Sequence, residues 1–176
     1  GAYRRSQTHY PNSVMGAQGL PGEAELKLLE PWRSRLPAEL FETPFSFPEY
    51  DGSGNVRPGL KQAFALLKEA GWEFRQKKLV NSSSGQPFSL ELMIDSPSFQ
   101  RVLLPYVKNL QKVGIDANIR IVDSTQLKAR LDVFDFDMAV YVLPQTAQPG
   151  QEQRLYFHSS QAKVKGSRNL SGIEDP

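Results

Sequence analysis

PFSLELMIDSPSFQRVLLPYVKNLQKVGIDANIRIVD, residues 87–123, is the stretch that decides the fold. Phe88, Leu90, Leu92 and Ile94 alternate with Ser89, Glu91, Met93 and Asp95, the two-residue period of a strand. Ser96-Pro97 then offers a hydroxyl for a helix N-cap and a proline at the first helical position, where its missing N–H costs nothing. Phe99, Val102, Leu103, Tyr106, Val107, Leu110 and Val113 follow at helical spacing, and Gly114 supplies a left-handed stop. Ile115, Ala117, Ile119 and Ile121 alternate again with polar residues up to Asp123. The pattern predicts a strand, a crossover helix and a second strand, a βαβ unit with parallel strands and a right-handed connection. Pro105 falls inside the helix, removes one ladder hydrogen bond and predicts a kink there.

Working outward, 176 residues at 39% hydrophobic composition are enough to bury one substantial core. A net charge of +2, with scattered basic residues, gives no footprint for nucleic acid. The one tight basic pair, Lys77-Lys78, lies beside a predicted turn. No apolar run approaches the length of a membrane span. The absence of cysteine excludes disulfides and thiolate metal sites and leaves the compartment open. The chain starts Gly1-Ala2-Tyr3 without initiator or leader and stops at Asp175-Pro176 without a closing element, so it reads as a piece of a longer protein.

Two regions are expected. Residues 1–58 form an irregular arm with connecting segments that pack on a lobe, including a short helix near 23–31 and a turn near 37–41. Residues 59–176 form an α/β lobe. Gly52-Ser53-Gly54 follows no strand and lacks both phosphate-loop and dinucleotide spacing, so it reads as a turn. A helix follows, with Leu60, Phe64, Leu67 and Ala70 on its apolar face and Gly71 closing it. Trp72 begins a short extended piece, and Asn81 to Gly85 is expected to join 78–80 to the strand from Phe88 as a hairpin. Asp123-Ser124 can cap a further helix bearing Leu127, Leu131 and Phe134. Residues 136–143 are apolar on both faces apart from Asp137, which predicts the central strand of the sheet. The expected order sets it beside 88–95, with 115–123 on the other flank. The chain then leaves 88–95 to opposite sides, making a switch point at the carboxyl ends of 88–95 and 136–143, where the loop 144–154 emerges.

Catalytic patterns are thin. His9 and His158 are the two histidines, and no Gly-x-Ser-x-Gly elbow accompanies them. Asp137 and Glu152 lie too far apart along the chain to converge as a carboxylate pair. No metal-ligand spacing occurs, and Phe134/Phe136 and Tyr156/Phe157 read as core. The expectation is a protein without catalytic residues, metal or cofactor. The loop 144–154 is different, because its side-chain amides both donate and accept. Gln145, Gln148, Glu152, Arg154 and, near the end, Asn169 are the candidate ligand contacts. Arg154 suits a ligand carboxylate or an internal partner such as Glu152.

A series of short motifs carries a resemblance: Asp51 to Asn55, Leu66 to Trp72, Lys78 to Asn81, Gly85 to Phe88, Asp95 to Arg101, Leu104 to Leu110, Val113 to Ala117, Phe134 to Met138, Pro149 to Arg154 and Gly166 to Pro176. In this order they resemble the extracellular solute-binding proteins, family 5, of ABC peptide transporters, above all the oligopeptide- and microcin-C-type branch. The resemblance implies a lobe of periplasmic binding protein type II, in this case most of the later lobe, stopping within its closing motif. It implies a monomeric periplasmic protein that takes oligopeptides, delivers them to permease subunits, and is not membrane-embedded. Peptide binders of this class hold the ligand's amino group with an acidic residue near the place of Gln145, so this chain departs from them there. The alternatives from the residues alone are a small-ligand regulatory domain of α/β type and a fragment of an enzyme whose catalytic residues lie elsewhere.

Overall fold

The computed structural model describes residues 6–11, 13–48 and 53–174. The chain divides into two compact units, one of residues 1–54 and 145–150, the other of 55–144 and 151–176. The division falls before Pro58 because Arg57 and Pro58 already open a helix. In the first unit, α1 (Glu23–Leu29) starts with Glu25 accepting the Gly22 N–H at 2.7 Å. A 3-10 turn over Glu30–Trp32 follows the helix expected near 23–31, and the short α2 (Glu39–Glu42) overlaps the turn expected near 37–41. The remaining described residues of this unit are turns and irregular chain.

The second unit holds the sheet. α3 (Arg57–Glu69) carries Leu60, Ala63, Phe64 and Leu67 inward, and Gly71 ends it at φ +82. β1 (Trp72–Arg75) and β2 (Lys78–Asn81) then pair antiparallel, joined by Gln76 and Lys77, both at positive φ. The expected hairpin from 78–80 to Phe88 is present in short form, with Val80 bridged to Pro87 and with Asn81 N donating to Gln86 O and Phe88 N to Leu79 O at 2.9 Å each, while the longer partner of 78–81 is 72–75, a pairing not expected from sequence. A two-residue turn with both residues left-handed normally carries Asn or Gly, and neither marks this one.

β3 (Ser89–Ile94), α4 (Gln100–Lys112) and β4 (Asp116–Ile121) form the predicted βαβ unit, with β3 and β4 parallel and paired from Ser89–Asp116 to Ile94–Ile121. Ser96 makes no capping bond to the helix; Pro97–Phe99 form a 3-10 turn before α4, and Ser96 Oγ lies 2.8 Å from Ser98 Oγ. Pro105 sits within α4 as expected. α5 (Ser124–Asp132) is capped by Asp123, whose carboxylate accepts the Gln126 N–H at 2.8 Å.

The sheet order is β4-β3-β5, with β5 only Met138–Ala139. The expectation that 136–143 is the central strand is overturned: β3 is central and β5 lies at the edge. The reason lies in the layers. Met138 and Val140 pack into the core shared with α3 and α4, while Phe136 and Ala139 pack under α5. Apolar character on both faces therefore reports a layer above and a layer below, not a strand on either side. After Val140 donates to Met93 O at 3.0 Å the ladder ends, and Val142 is 72% exposed. Conversely, Glu91 gives β3 a polar face in sequence, yet that face is covered by α5 and includes the fully buried Met93.

Gly114 fixes the joint between α4 and β4. It has φ +87, its carbonyl accepts the Leu79 N–H at 2.7 Å, and a Cβ there would lie 2.6 Å from Leu79 N and 2.7 Å from the Phe74 ring. Gly71 shares the left-handed backbone, but the nearest atom to its Cβ would be 3.6 Å away. Gly71→Ala should therefore cost about 1 kcal/mol of backbone strain. Gly114→Ala adds a collision with main chain and should cost about 2–4 kcal/mol. Urea unfolding followed by tryptophan fluorescence checks the pair, and equal losses would remove the contact argument.

Candidate functional site

Parallel strands point their carboxyl ends the same way, and here the chain leaves β3 toward opposite flanks, so a crevice is expected beyond those ends. A cavity of about 500 Å³ occupies that place. Asp95 and Phe99 enter it from just beyond β3, Ser124, Leu127, Lys128, Leu131 and Asp132 from α5, and Val140, Tyr141 and Val142 from the end of β5. Gly166, Ser167, Arg168 and Leu170 complete it from the loop that follows α6 (Glu152–Phe157). A smaller cavity of about 240 Å³ shares Leu131, Tyr141, Arg168 and Leu170 with it and reaches Tyr156 and Phe157.

Ion pairs hold the α5 wall in place. Arg130 donates from Nη1 to Glu91 Oε1 and from Nε to both the carbonyl and the carboxylate of Asp135, each at 2.9 Å. Arg120, on β4, reaches the other oxygen of Glu91 at 3.1 Å. Asp137 accepts the Glu91 N–H at 2.9 Å, so the start of the β5 segment joins the same cluster. The hydrogen bond from Arg130 is the strongest influence on Glu91 and, with Arg120, holds its carboxyl below the usual carboxylate range against the opposing effect of burial. The same contact raises Arg130 above its ordinary value.

The C-terminal loop is pinned by one amide. Asn169 is fully buried; its Nδ2 donates to His158 O at 3.2 Å and Ile173 O at 2.9 Å, and its Oδ1 accepts the Ile173 N–H at 3.1 Å. His158 itself caps the following 3-10 turn, its Nδ1 accepting the Ser160 N–H at 3.1 Å. Gly166 N donates to Asp132 O at 2.8 Å, tying the loop to the end of α5. Tyr156, also buried, donates its hydroxyl to Pro144 O at 2.7 Å.

The residues selected from sequence are distributed differently. Asn169 uses its side chain on its own loop, so its part is to position neighbours rather than to touch a ligand. Arg154 is exposed on a six-residue helix and pairs with no carboxylate among the described residues; it stands two residues from Glu152, a spacing that turns the side chains apart. Glu152 accepts from Gln153 Nε2 at 3.3 Å. Neither Glu152 nor Arg154 lines the two cavities. Gln145 and Gln148 belong to the first unit. There Gln145 Nε2 lies 3.4 Å from His9 Nδ1, its Oε1 is shielded from solvent without a hydrogen-bond partner among the described residues, and the Gln148 carbonyl accepts from Thr146 Oγ1 at 2.5 Å. The crevice residues Asp95, Tyr141 and Arg168 were not singled out by sequence. Asp95 carried a signal, an acidic residue directly after a parallel strand, whereas an arginine in irregular chain carries none.

The fold is that of an α/β lobe of the periplasmic binding protein type II kind. Residues 34–164 match the family of bacterial extracellular solute-binding proteins, family 5 (middle region), and the chain belongs to that family. It is 41% identical over 99% of its length to the uncharacterized protein y4wM of Sinorhizobium fredii, and 38% identical over its full length to the probable peptide-binding protein YejA of Agrobacterium fabrum. The chain spans 26% and 29% of the lengths of these two relatives. Among solved structures, the oligopeptide-binding protein AppA of Bacillus subtilis in complex with a nonapeptide is 26% identical with a TM-score of 0.56, over 65% of this chain and 23% of that one. No helix among the described residues is long and apolar enough to cross a membrane.

Two measurements check the framework of the site. Because the folded-state carboxyl of Glu91 is lowered, its contribution is complete above the ordinary carboxylate range and is lost as pH falls through the lowered value. Glu91→Gln should therefore be less stable than the parent at neutral pH and lose less between about pH 5 and pH 3, read as unfolding midpoints across that range. Asn169→Ala removes the partner of two carbonyls and one N–H and should cost about 1–2 kcal/mol in urea unfolding. A loss below about 0.5 kcal/mol would show that the loop is held by its apolar contacts instead.

Proposed function

We propose that this chain supplies part of the later lobe of the substrate-binding component of an ABC peptide importer, which captures oligopeptides in the periplasm and passes them to permease subunits. The observation that carries the reading is the crevice at the carboxyl ends of β3 and β5 in a chain of family 5. The name of the Agrobacterium relative and the nonapeptide bound to the Bacillus protein support a peptide as ligand. The order of short motifs from Asp51 to Pro176 supports the oligopeptide- and microcin-C-type branch. In this reading the protein acts as a monomer, needs no cofactor, and has its other wall in a part of the polypeptide that this chain does not span.

An importer that accepts many peptides does best by reading the main chain they share and leaving side chains in roomy, hydrated space. The amides of Gln145 and Gln148, which both donate and accept, suit that task. Arg154, exposed and without an ion-pair partner among the described residues, is the candidate from residues 144–154 for a ligand carboxylate, and Glu152 the candidate for a ligand cation.

Calorimetry with a pool of random tri- to hexapeptides tests the reading. The full-length protein should bind the pool, and the isolated 176-residue chain should bind it far more weakly, because half a crevice lacks the second set of contacts and the enclosure. Gln145→Ala or Arg154→Ala in the full-length protein should weaken binding by about 1–3 kcal/mol. Absence of binding by the full-length protein would overturn the peptide reading, and equal affinities of whole and part would overturn the two-walled site.

A further inference from the structure

Four charged side chains line the larger crevice: Asp95, Lys128, Asp132 and Arg168. Lys128 and Asp132 neutralise each other across one turn of α5, with Nζ 2.6 and 2.8 Å from the two carboxylate oxygens. Asp95 and Arg168 remain, both exposed and neither ion-paired among the described residues. They come from separate elements of the lining, one from the end of β3 and one from the C-terminal loop. The crevice therefore keeps one uncompensated anion and one uncompensated cation against a partly apolar lining.

The main chain around Arg168 is unusually well held for irregular chain. Gly166 donates to the end of α5, Ser167 Oγ donates to Gln161 O at 2.6 Å, Asn169 is buried with its amide saturated, and Leu170 packs on the core around Met93. A loop so fixed loses little further freedom when its one outward side chain meets a ligand. The guanidinium also stands where the two cavities adjoin, since both are lined by Arg168.

We infer that Arg168 anchors a carboxylate of the bound ligand, and that Asp95 marks the end of the crevice that favours a cationic group. The inference rests on the peptide reading of this crevice and deepens it by giving the ligand a direction. A guanidinium presents two parallel N–H groups to a carboxylate, which lysine cannot reproduce, and a partly enclosed apolar lining strengthens the pair relative to open water. The carboxylate has two sources in a peptide, the main-chain terminus and an aspartate or glutamate side chain.

The test titrates the full-length protein calorimetrically with random tetrapeptides prepared as free acids, as C-terminal amides, and as free acids lacking Asp and Glu. Arg168→Gln should bind the free-acid pool about ten- to a hundredfold more weakly than the parent, and Arg168→Lys should fall between them. If the terminus is read, amidation weakens the parent and leaves Arg168→Gln unchanged. If side chains are read, removing Asp and Glu has that pattern instead. Asp95→Asn should keep the parent's sensitivity to the carboxylate; its loss there would assign the effect to the general field of the crevice and overturn the anchor. A parent that binds the free-acid pool while Arg168→Gln binds it equally well would overturn the anchor and leave the peptide reading standing. A parent that binds none of the pools would remove both.

Discussion

A carboxylate in the middle strand of a sheet, on a face partly covered by a helix, is most favourably placed where cations meet it. Glu91 is that carboxylate, and Arg130 and Arg120 meet it. Much of the second face depends on this one contact. Arg130 belongs to α5, so the pair sets where α5 lies on the strand; the end of α5 then receives Gly166, and Gly166 begins the loop that carries Arg168 and the buried Asn169. The apolar residues under α5, Met93, Leu127 and Leu131, supply burial worth about 1.5–3 kcal/mol each, but burial has no direction and does not choose a register. The pairing of Arg130 with Glu91 and Asp135 supplies that direction.

The other face is ordered by shape instead. Leu92 and Ile94 from β3 and Ala117 from β4 meet Val107 of α4 and the residues of α3, and Gly114 lets the β1–β2 hairpin close on the joint at van der Waals distance. The two faces thus reach uniqueness by different means, one by a backbone position only glycine tolerates and one by an ion-pair cluster.

Much of this was legible in the sequence. The βαβ unit, the Gly114 stop, the Asp123 cap and the two irregular helical turns follow from local spacing and chemistry, which is where pattern has its strongest hold. The neighbours of 88–95 were legible, but its place as the central strand in preference to 136–143 was not, because 136–143 is apolar for the two layers that sandwich it, whereas pairing on both sides leaves no separate mark. Glu91 misled in the opposite sense: a neutralised charge under a helix has the same letter as a solvated one. Family membership was carried by the ordered motifs, but the crevice residues were not. Of the sequence candidates, Glu152 and Arg154 lie off the cavities and Asn169 is engaged internally, while Arg168, next to Asn169 in the chain, lines both cavities. Adjacent residues on a pinned loop point in unlike directions, and only the folded loop reveals which one faces the open space.

The shortness of β5 has a consequence for the order in which the lobe comes together. Ser89 pairs with Asp116 across a connection already made compact by α4, and six residue pairs share the cost of closing it. Leu92 pairs with Met138 across a longer excursion, with only two pairs to offset a loop-closure entropy that grows slowly with length. The βαβ unit is therefore self-sufficient early, and β5 is a late addition whose attachment relies on side chains packed above and below it. Local opening of the native state should follow the same hierarchy in reverse, with β5 leaving the sheet before β4 does. The strand edge that bounds the crevice is then also the part of the sheet with the least free energy holding it in place.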